Sequence, residues 1–564
     1  MDNLKNIIAA ISLSAAVIIL YSLFFAPPPP DPKQVKTEKN KSTLNSSNTS
    51  NDAPTLDQND ETIKISRKEA MGESKRIFFE NENIKGSISL TGSKIDDLEF
   101  KKFKEKLNGE SNVTLLNPSK VKNGYYVETG WATTNKNIDV PNSKSVWEIE
   151  RNNKLTPNTP IKLIWLNNQN IKFEKEISID NQYLFTVKQT ITNNSEKTYN
   201  FYPYGQIIRN EIPKITNFFI LHEGPLGVFD SELVEKDYDD VQDKSYSINA
   251  DSGFCGITDK FWITSLIPQK NRKFRADFDY INKFRTNFIE TNATEIGANE
   301  TKSNEIKILL AAKEVRVIDE YSKKLNIEKL DLVIDWGYLY FLTRPMWFAL
   351  DYFYKLLGNY GLAIIAVTVC IRIALFPLAQ LSFKSMSRMK LLQPEMTRIK
   401  EVNKGDKLKI QQEMMKLYKT EKVNPMSGCL PILPMIFIFF ALYKVLFVTL
   451  DGRHKPFYGY LVDLSERDPT SVFNLFGLIN WVPPDFLLIG ALPIFFGLTM
   501  WLQQKLNPAP PDPIQAKIFM FFPIFLTVIL APFPSGLLLY WVTNNILQML
   551  QQYIVMRKTK VKTV

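Results

Sequence analysis

The chain has 564 residues, a net charge of +10 and 45% hydrophobic residues, and its mean hydropathy is −0.15. This length predicts several domains, and the hydropathy excludes a protein built only from membrane-spanning segments. Lysines and arginines cluster beside the apolar segments, which is typical of membrane proteins and argues against nucleic-acid binding. Three separated cysteines, Cys255, Cys370 and Cys429, and two isolated histidines, His222 and His454, argue against a disulfide framework or a metal site.

The N-terminal region contains an apolar run, residues 7–26, that is preceded by Lys5 and followed by four prolines. The run is about as long as a full membrane span, roughly 20 residues. A cleaved signal peptide begins in a similar way, but no A-x-A cleavage pattern follows the run. We therefore expect an uncleaved anchor at 1–26 with its N-terminus in the cytoplasm. Residues 27–75, rich in Pro, Asn, Ser, Thr and Lys, are expected to form a disordered periplasmic linker.

Short runs of alternating apolar and polar residues recur from residue 76 to about residue 313. Asn, Gly and Pro separate these runs, a pattern typical of antiparallel strands. Many such strands predict a large β-sandwich at 76–330, with Trp131, Trp147, Trp165 and Trp262 in its core. The sequence contains no H-E-x-x-H, Walker, G-x-S-x-G or G-x-G-x-x-G motif, so we predict neither an enzyme nor a cofactor or metal site.

The C-terminal part of the chain alternates apolar segments with charged loops. Residues 331–357 are aromatic and apolar but interrupted by charges and a proline, which predicts an amphipathic helix at the membrane interface. The Lys and Arg counts of the loops, with the basic tail at 558–564, place both termini in the cytoplasm. The sequence thus predicts a multi-domain protein with a polytopic α-helical membrane bundle and a periplasmic β-sandwich. The core at 358–557 is expected to have five spans, at residues 358–378, 425–450, 486–502, 518–531 and 537–556.

A basic segment at 380–424 follows the first of these five spans without an evident break in the helical pattern. Residues 384–422 carry eleven Lys or Arg against five acids. Apolar residues recur at helical spacing on both sides of the sequence NKGDK at 403–407, which predicts an antiparallel helical hairpin in the cytoplasm. The hairpin could lie on anionic lipid or contact ribosomal RNA, and its charge alone favours neither. The expected apolar stripes are Met386, Met389, Leu392, Met396, Ile399 and Val402, then Leu408, Gln411, Met415 and Tyr418.

Arg372 is a single charge about 14 residues into the span at 358–378. A guanidinium in hydrocarbon is costly and usually marks a functional site, although its long side chain can also reach the headgroups. Together with other polar residues in the spans, it predicts a hydrated pocket that opens to the cytoplasm and lowers the cost of moving polypeptide partway across. These polar residues are Thr368, Gln503, Gln504, Thr527, Tyr540, Thr543, Asn544 and Asn545.

Several motifs occur in a characteristic order between residue 331 and about residue 557. They read TVCIRIALFPL, SMSRMKLLQPEM, QQEMMKLYKTEKVNP, GCLPIL, FFALYKVL, DP-x-Q-x-K and FPSGLLLYWVTNN. This order resembles the YidC family of membrane protein insertases, in the bacterial inner-membrane form with a large periplasmic domain. GSISLTGSKIDDL, at 86–98, resembles the start of that domain.

The resemblance implies a periplasmic β-supersandwich and a five-span core that acts as an insertase and chaperone. It implies that Arg372, Thr368, Tyr540 and Trp541 line the groove. We also expect Gln503 in the groove, because it is a polar residue at the end of a predicted span. It also implies that the hairpin, with Asp406 at its tip, receives clients from the ribosome and signal-recognition components. Expected partners are nascent membrane proteins, the Sec translocon and membrane lipids, and the protein is expected to be a monomer.

The third span departs from the family pattern, since Met435 and Phe437 replace the usual Gln and Pro and Pro434 lies upstream. We therefore predict no polar site on that span. Two other function classes stay open. One is an anion transporter or channel that uses Arg372, although the spans show no inverted repeat. The other is a membrane-anchored periplasmic binding protein or glycan enzyme, for which no paired acidic motif is evident.

Overall fold

The computed structural model describes residues 65–215, 221–403, 405–421, 423, 432–481, 483–484, 487–507 and 513–561. The predicted anchor at 1–26, most of the predicted linker, the first residues of the predicted span at 425–450 and the end of the basic tail lie outside these ranges. The chain divides into two compact units, one ending at Asp335 and the other beginning at Trp336.

A short helix, α1 (Arg67–Gly72), precedes the first strand and corrects the predicted extent of the linker, which was expected to run to residue 75. Ser66 and Glu69 form a capping box that pairs the orphan N–H groups at the helix start. Arg67 is bound to the Asp97 carboxylate, and its Nη1 donates to Glu99 Oε1 at 2.9 Å. Local capping and these ion pairs order residues 65–75, which a composition argument cannot detect.

The first unit is a β-sandwich, and the period-two pattern in the sequence is confirmed by its antiparallel sheets. In the described part of the chain, nine strands of an 11-stranded sheet follow the order β14-β17-β18-β11-β5-β3-β2-β1-β7. Its other two strands lie outside this order: β4 pairs with β3, and β19 pairs with β11. A 9-stranded sheet has the order β13-β12-β15-β16-β20-β10-β9-β8-β6. Among the described residues the strands pair in antiparallel fashion except β1 with β7, which are parallel. The strands are β1 (Arg76–Glu80), β2 (Ile84–Ser89), β3 (Lys94–Lys104), β4 (Asn112–Leu116), β5 (Tyr125–Ala132), β6 (Glu148–Arg151), β7 (Lys154–Leu155), β8 (Ile161–Leu166), β9 (Ile171–Ile179), β10 (Leu184–Asn193), β11 (Tyr199–Arg209), β12 (Gly224–Phe229), β13 (Glu232–Glu235), β14 (Tyr246–Ala250), β15 (Gly253–Thr258), β16 (Trp262–Ile267), β17 (Phe274–Tyr280), β18 (Phe284–Glu290), β19 (Thr294–Ile296) and β20 (Thr301–Ala312).

Aromatic side chains join the two sheets in the core of the sandwich. Phe79 on β1 meets Phe185 on β10 edge to face, with 5.1 Å between ring centroids. Alternate residues of β9 are buried, as expected for a strand with one face on the core. Of the tryptophans expected in the core, Trp131 and Trp147 are buried, whereas the other two are only half-buried. Two helices, α2 (Tyr238–Asp243) and α3 (Val315–Leu325), and a 3-10 turn (Leu330–Val333) complete the unit.

The second unit is helical, and its last helix lies at its centre. This helix, α12, packs against α5, α6, α9 and α10, while α11 packs on α10 and α4 packs on α5 and α9. The helices are α4 (Tyr340–Leu357), α5 (Tyr360–Ala374), α6 (Phe376–Leu391), α7 (Gln393–Val402), α8 (Lys407–Thr420), α9 (Ile432–Val448), α10 (Ala491–Leu506), α11 (Pro513–Leu530) and α12 (Ser535–Val561).

The chain bends by 66° between α5 and α6, so the expected unbroken passage from span to basic helix is wrong. Pro377 lies in the first turn of α6, where a proline is tolerated because its missing N–H would be unpaired. The same residue could not continue α5, which ends at Ala374. Among the described residues, no single helix has the length and hydropathy of a span, whereas α5 and α6 together do; Leu433–Val448 and Lys517–Leu530 are shorter apolar helices.

Helices α7 and α8 form the predicted hairpin. Of the second predicted apolar stripe, Tyr418 packs on the hairpin core, whereas Leu408, Gln411 and Met415 are exposed. Met396 and Ile399 of α7 are buried with Met414 of α8, and half-buried side chains surround them. Because α8 begins only at Lys407, which Asp406 caps, its buried face follows residues 410, 414 and 417. Met386 of the first stripe packs instead with Val555 of α12. Val402, Leu408 and Met415 are exposed.

Candidate functional site

Arg372 lies in the last turn of α5 and is only 6% exposed. Its Nε donates to Asn544 Oδ1 at 2.8 Å, and its Nη2 donates to the Asn544 carbonyl oxygen at 3.1 Å and to Gln548 Oε1 at 2.7 Å. These acceptors are all on α12. The guanidinium therefore ties α5 to the central helix of the unit.

The acceptors belong to a polar face of α12. Asn544, Gln548 and Gln551 follow each other at spacings of four and three, which places them on one side of a helix. Gln551 Nε2 donates to the Arg372 carbonyl oxygen at 3.1 Å. Carbonyls in the last turn of a helix lack intrahelical donors, so this bond supports the end of α5 next to the bend.

The charge of Arg372 is solvated but not neutralised by the protein. Its acceptors are amide oxygens, and no carboxylate pairs with it among the residues that the structure describes. Its Nη1 donates to none of those residues. A buried cation is costly unless it is paired and hydrogen-bonded, and here only the hydrogen bonds are supplied. The site can therefore hold water or a negatively charged group.

Thr368 lies one turn before Arg372 and is fully buried. Its hydroxyl donates to the Ile364 carbonyl oxygen at 2.7 Å, a common bond for a threonine inside a helix. The structure thus brings Thr368 close to Arg372 along α5, but its proton is engaged within the helix.

Tyr540 and Trp541 are adjacent on α12 but point to different neighbours. Tyr540 is buried one turn before Asn544, on the helix face that carries the Arg372 partners. The Trp541 ring lies 5.0 Å from that of Phe439 on α9 and 5.8 Å from that of Phe496 on α10. Only Tyr540 of this pair belongs to the arginine face.

Gln503 is half-buried on α10 and is not hydrogen-bonded to Arg372. The polar contact between α10 and α12 is made elsewhere. Asn545 Nδ2 donates to Thr499 Oγ1 at 3.1 Å, and Gln552 Nε2 donates to the Leu506 carbonyl oxygen at 3.3 Å. These bonds form a second polar contact on another face of α12.

Asp406 lies at the exposed tip of the hairpin and is not part of the arginine site. Its Oδ1 accepts a hydrogen bond from the Lys409 backbone N–H at 2.9 Å, which caps α8. Capping alone explains an aspartate at this position, since Asp is among the preferred N-cap residues.

Gln548 and Gln551 were missed as site residues in the sequence, although Asn544 was noted as polar. The available signal was their helical spacing from Asn544. Arg372 and Asn544 are 172 residues apart in the sequence. Which face of α12 meets Arg372 therefore depends on how the two helices pack. Among the described residues, no group of three or more His, Cys, Asp or Glu side chains could hold a metal ion.

The described residues combine a large β-sandwich with a helical unit that contains short apolar helices and a buried arginine held by amide oxygens. Two family models cover this arrangement: the YidC periplasmic domain matches residues 76–349, and the 60Kd inner membrane protein matches residues 352–562. The chain belongs to the YidC family of membrane protein insertases, an inner-membrane family whose members are not enzymes and act on nascent membrane proteins.

Relatives match along essentially the whole chain. A membrane protein insertase YidC of Pelagibacter ubique (strain HTCC1062) is 62% identical over 563 residues, which cover 100% of both chains. One from Brucella suis biovar 1 (strain 1330) is 40% identical over 591 aligned positions, covering 100% of this chain and 97% of the relative. A crystal structure of an active YidC insertase is 15% identical, covers 85% of this chain and 93% of its own, and has a TM-score of 0.35. The sequence relatives confirm the resemblance drawn from the motifs.

Proposed function

We propose that the chain inserts newly made proteins into the bacterial inner membrane through a polar groove around Arg372 that opens to the cytoplasm. The observation that carries this proposal is the buried guanidinium, whose hydrogen-bond acceptors in the described part of the chain are amide oxygens of Asn544 and Gln548. A positive charge with one unused nitrogen attracts water and acidic residues. Both effects lower the cost of bringing a polar polypeptide segment partway into the bilayer.

The apolar surface of α11 supports the second half of this route. Much of this helix is exposed, and its main packing partner among the described helices is α10. An emerging apolar segment that leaves the groove can partition against this surface, so no nucleotide is needed to drive the step. Exposed side chains on α11 include Ile518, Phe519, Phe521, Ile524, Phe525 and Val528.

We infer a topology of an anchor at 1–26, a linker, a periplasmic domain at 76–330 and five spans within 358–557, with both termini in the cytoplasm. Helix α4 is proposed to lie at the membrane interface. One face of it buries Trp347 and Leu350, while Phe341, Phe348 and Tyr352 are exposed. Aromatic side chains favour the headgroup region, which supports this placement.

The hairpin of α7 and α8 is proposed to receive clients from the ribosome and signal-recognition components, with the Sec translocon as a further partner. The hairpin has its own small core and carries the exposed basic side chains of Arg398 and Lys416 at its surface. Such a surface would suit RNA or anionic lipid equally. Photocrosslinking from Asp406 to translating ribosomes distinguishes the two.

The test is insertion of a short single-span client with an acidic tail into vesicles that contain the purified chain. We expect Arg372→Ala to slow insertion about tenfold, which corresponds to about 1.4 kcal/mol. The matched control is Arg151→Ala, which removes an exposed arginine from β6 of the sandwich. Equal insertion by Arg372→Ala and the unaltered chain would refute the groove mechanism without changing the family.

The same vesicles decide between insertion and anion transport. An anion channel that uses Arg372 would carry chloride or phosphate into vesicles without any client, and Arg372→Ala would abolish that flux. We expect no client-independent flux above that of empty vesicles.

A further inference from the structure

The loop between α9 and α10 carries an unusually apolar exposed surface. Residues 469–484 contain no charged side chain. Within residues 472–481, here called the apolar loop, Leu478 is 86% exposed and six other large apolar side chains are between 37% and 53% exposed. Soluble surfaces rarely present such a contiguous patch. The six are Val472, Phe473, Leu475, Phe476, Ile479 and Trp481.

The base of the apolar loop is fixed to the start of α10. Buried Asp468 accepts hydrogen bonds from the Leu492 N–H at 2.7 Å and from the Thr470 N–H at 2.9 Å. The Val472 N–H donates to the Ile489 carbonyl oxygen at 3.0 Å. The loop is therefore a built extension of the N-terminal end of α10.

The backbone of the apolar loop is held in a conformation that keeps its side chains outward. Leu475 and Phe476 have φ values of 49° and 58°. These lie in the left-handed region, which residues other than glycine rarely adopt. The Phe476 N–H donates to the Ser471 carbonyl oxygen at 2.7 Å, and the Ile479 N–H donates to the Asn474 carbonyl oxygen at 3.0 Å. Such strain persists only where the surroundings fix the backbone.

The length of α10 indicates what covers the apolar loop. Its 16 residues span about 24 Å at 1.5 Å per residue, whereas the hydrocarbon core of a bilayer is about 30 Å thick. A helix too short for the bilayer needs added apolar surface at its ends, or the bilayer must become thinner. The first half of α10 also exposes the apolar side chains of Ile494, Phe495 and Leu498.

We propose that the apolar loop is embedded in the leaflet at the N-terminal end of α10, at the boundary between acyl chains and headgroups, and fixes the depth of that helix. The partner is thus lipid, and Trp481 suits this boundary because tryptophan favours it. In the topology proposed above this is the outer leaflet. The inference rests on the membrane location of the family and not on the insertion route through Arg372.

The test places a probe on the full chain in vesicles of phosphatidylethanolamine and phosphatidylglycerol. Its three cysteines are replaced by alanine, Leu478→Cys is labelled with an environment-sensitive fluorophore, and nitroxide lipids or iodide on both faces serve as quenchers. The matched control is Leu166→Cys on β8, a similarly exposed leucine of the sandwich. We expect lipid quenching at residue 478 to exceed that at residue 166 at least threefold, with a nitroxide at acyl position 5 acting more strongly than one at position 12.

Strong quenching of residue 478 by iodide and not by lipid would place the loop in water and overturn the proposal. Protection from both quenchers would mean that protein covers the loop, a second copy included, and would also overturn it. The depth role is tested with a probe at Ile494→Cys. Adding Leu478→Ser and Ile479→Ser should change the ratio of its shallow to deep quenching at least twofold, and an unchanged ratio would refute that role. Client insertion, measured in parallel, reports separately on the groove.

Discussion

Two buried arginines, one in each unit, differ in the groups that accept their hydrogen bonds. Arg285 in β18 is 7% exposed, and Arg372 in α5 is 6% exposed. Arg285 forms a two-pronged pair with Asp279, with Nε at 3.0 Å from Oδ1 and Nη2 at 2.6 Å from Oδ2. Within the part of the chain that the structure describes, Arg372 has amide acceptors only. The sandwich neutralises its buried cation with a carboxylate, whereas no carboxylate among the described residues neutralises Arg372 in the helical unit.

Lys175 on β9 is a third buried cation and shows why the residue type matters. Its Nζ donates to Ser93 Oγ and to the Thr129 carbonyl oxygen, both at 2.5 Å, and lies 4.8 Å from the centre of the Trp147 ring. Burial lowers the pKa of Lys175 to about 7, against the opposing effect of the Glu128 carboxylate. A lysine with neutral partners can thus lose its proton, whereas an arginine keeps its charge in proteins. A site that depends on a permanent charge therefore requires arginine.

The largest effect expected from this comparison follows removal of the charge that pairs with Arg285. Asp279→Asn keeps the shape of the side chain but leaves a buried guanidinium without its carboxylate. Breaking one partner of a buried pair costs about 3–5 kcal/mol. We expect hydrogen exchange of the β17 and β18 backbone in the full chain to report a loss of that size in local opening free energy.

The control for this loss is Asp251→Asn. Asp251 forms an exposed pair with Lys273 at 3.3 Å, and exposed pairs contribute about 0–1 kcal/mol. If both substitutions cost the same, the buried pair would not be a stabilising feature of the sandwich.

The second effect concerns pH and the proton on Lys175. Its pKa is lowered to about 7 in the folded state and is about 10.4 in an unfolded chain, so between these values the unfolded state binds more protons. Stability therefore rises with pH in this window, and the contribution is lost as the pH falls toward 7. We expect Lys175→Met to reduce the slope of the unfolding free energy between pH 7.5 and 9.5 by up to about 1.4 kcal/mol per pH unit.

The measurement is denaturant unfolding of the detergent-solubilised full chain, followed by the circular dichroism of its β-sheets at several pH values. Lys188→Met is the matched control, because Lys188 is an exposed lysine on the neighbouring strand β10. An unchanged slope in Lys175→Met would show that this amine stays charged in the folded state.

Sequence and structure agree best where the physical signal is local. Arg372 was evident as one charge in an apolar run, and the strands of the sandwich were evident from alternation. The 66° bend was missed, although Pro377 was visible, because a continuous apolar pattern was given more weight than a single helix-breaking residue. The partners Gln548 and Gln551 could not be assigned, since the packing of α12 selects which polar face meets Arg372. Trp541 was grouped with Arg372 by the family resemblance and Gln503 by its position in a span. The Trp541 ring packs against Phe439 instead, and Gln503 makes no hydrogen bond to Arg372.

The smallest effect is expected from a substitution that gives Arg372 a carboxylate partner like that of Arg285 in the sandwich. This substitution is also the sharpest test of the comparison. Gln548 Oε1 already accepts from Arg372 Nη2 at 2.7 Å, so Gln548→Glu places a carboxylate oxygen at the same point with little change in shape. The new pair should hold Arg372 more tightly and remove its net charge. We expect insertion of a client with an acidic tail to slow about tenfold, or about 1.4 kcal/mol, while a client with an uncharged tail is affected less.

Gln548→Met, which removes the acceptor without adding a charge, is the control and should slow the acidic client only about threefold. If Gln548→Glu and Gln548→Met behave alike for both clients, the net charge of Arg372 is not what the client uses, and retention of water by the polar face of α12 is sufficient to explain the site.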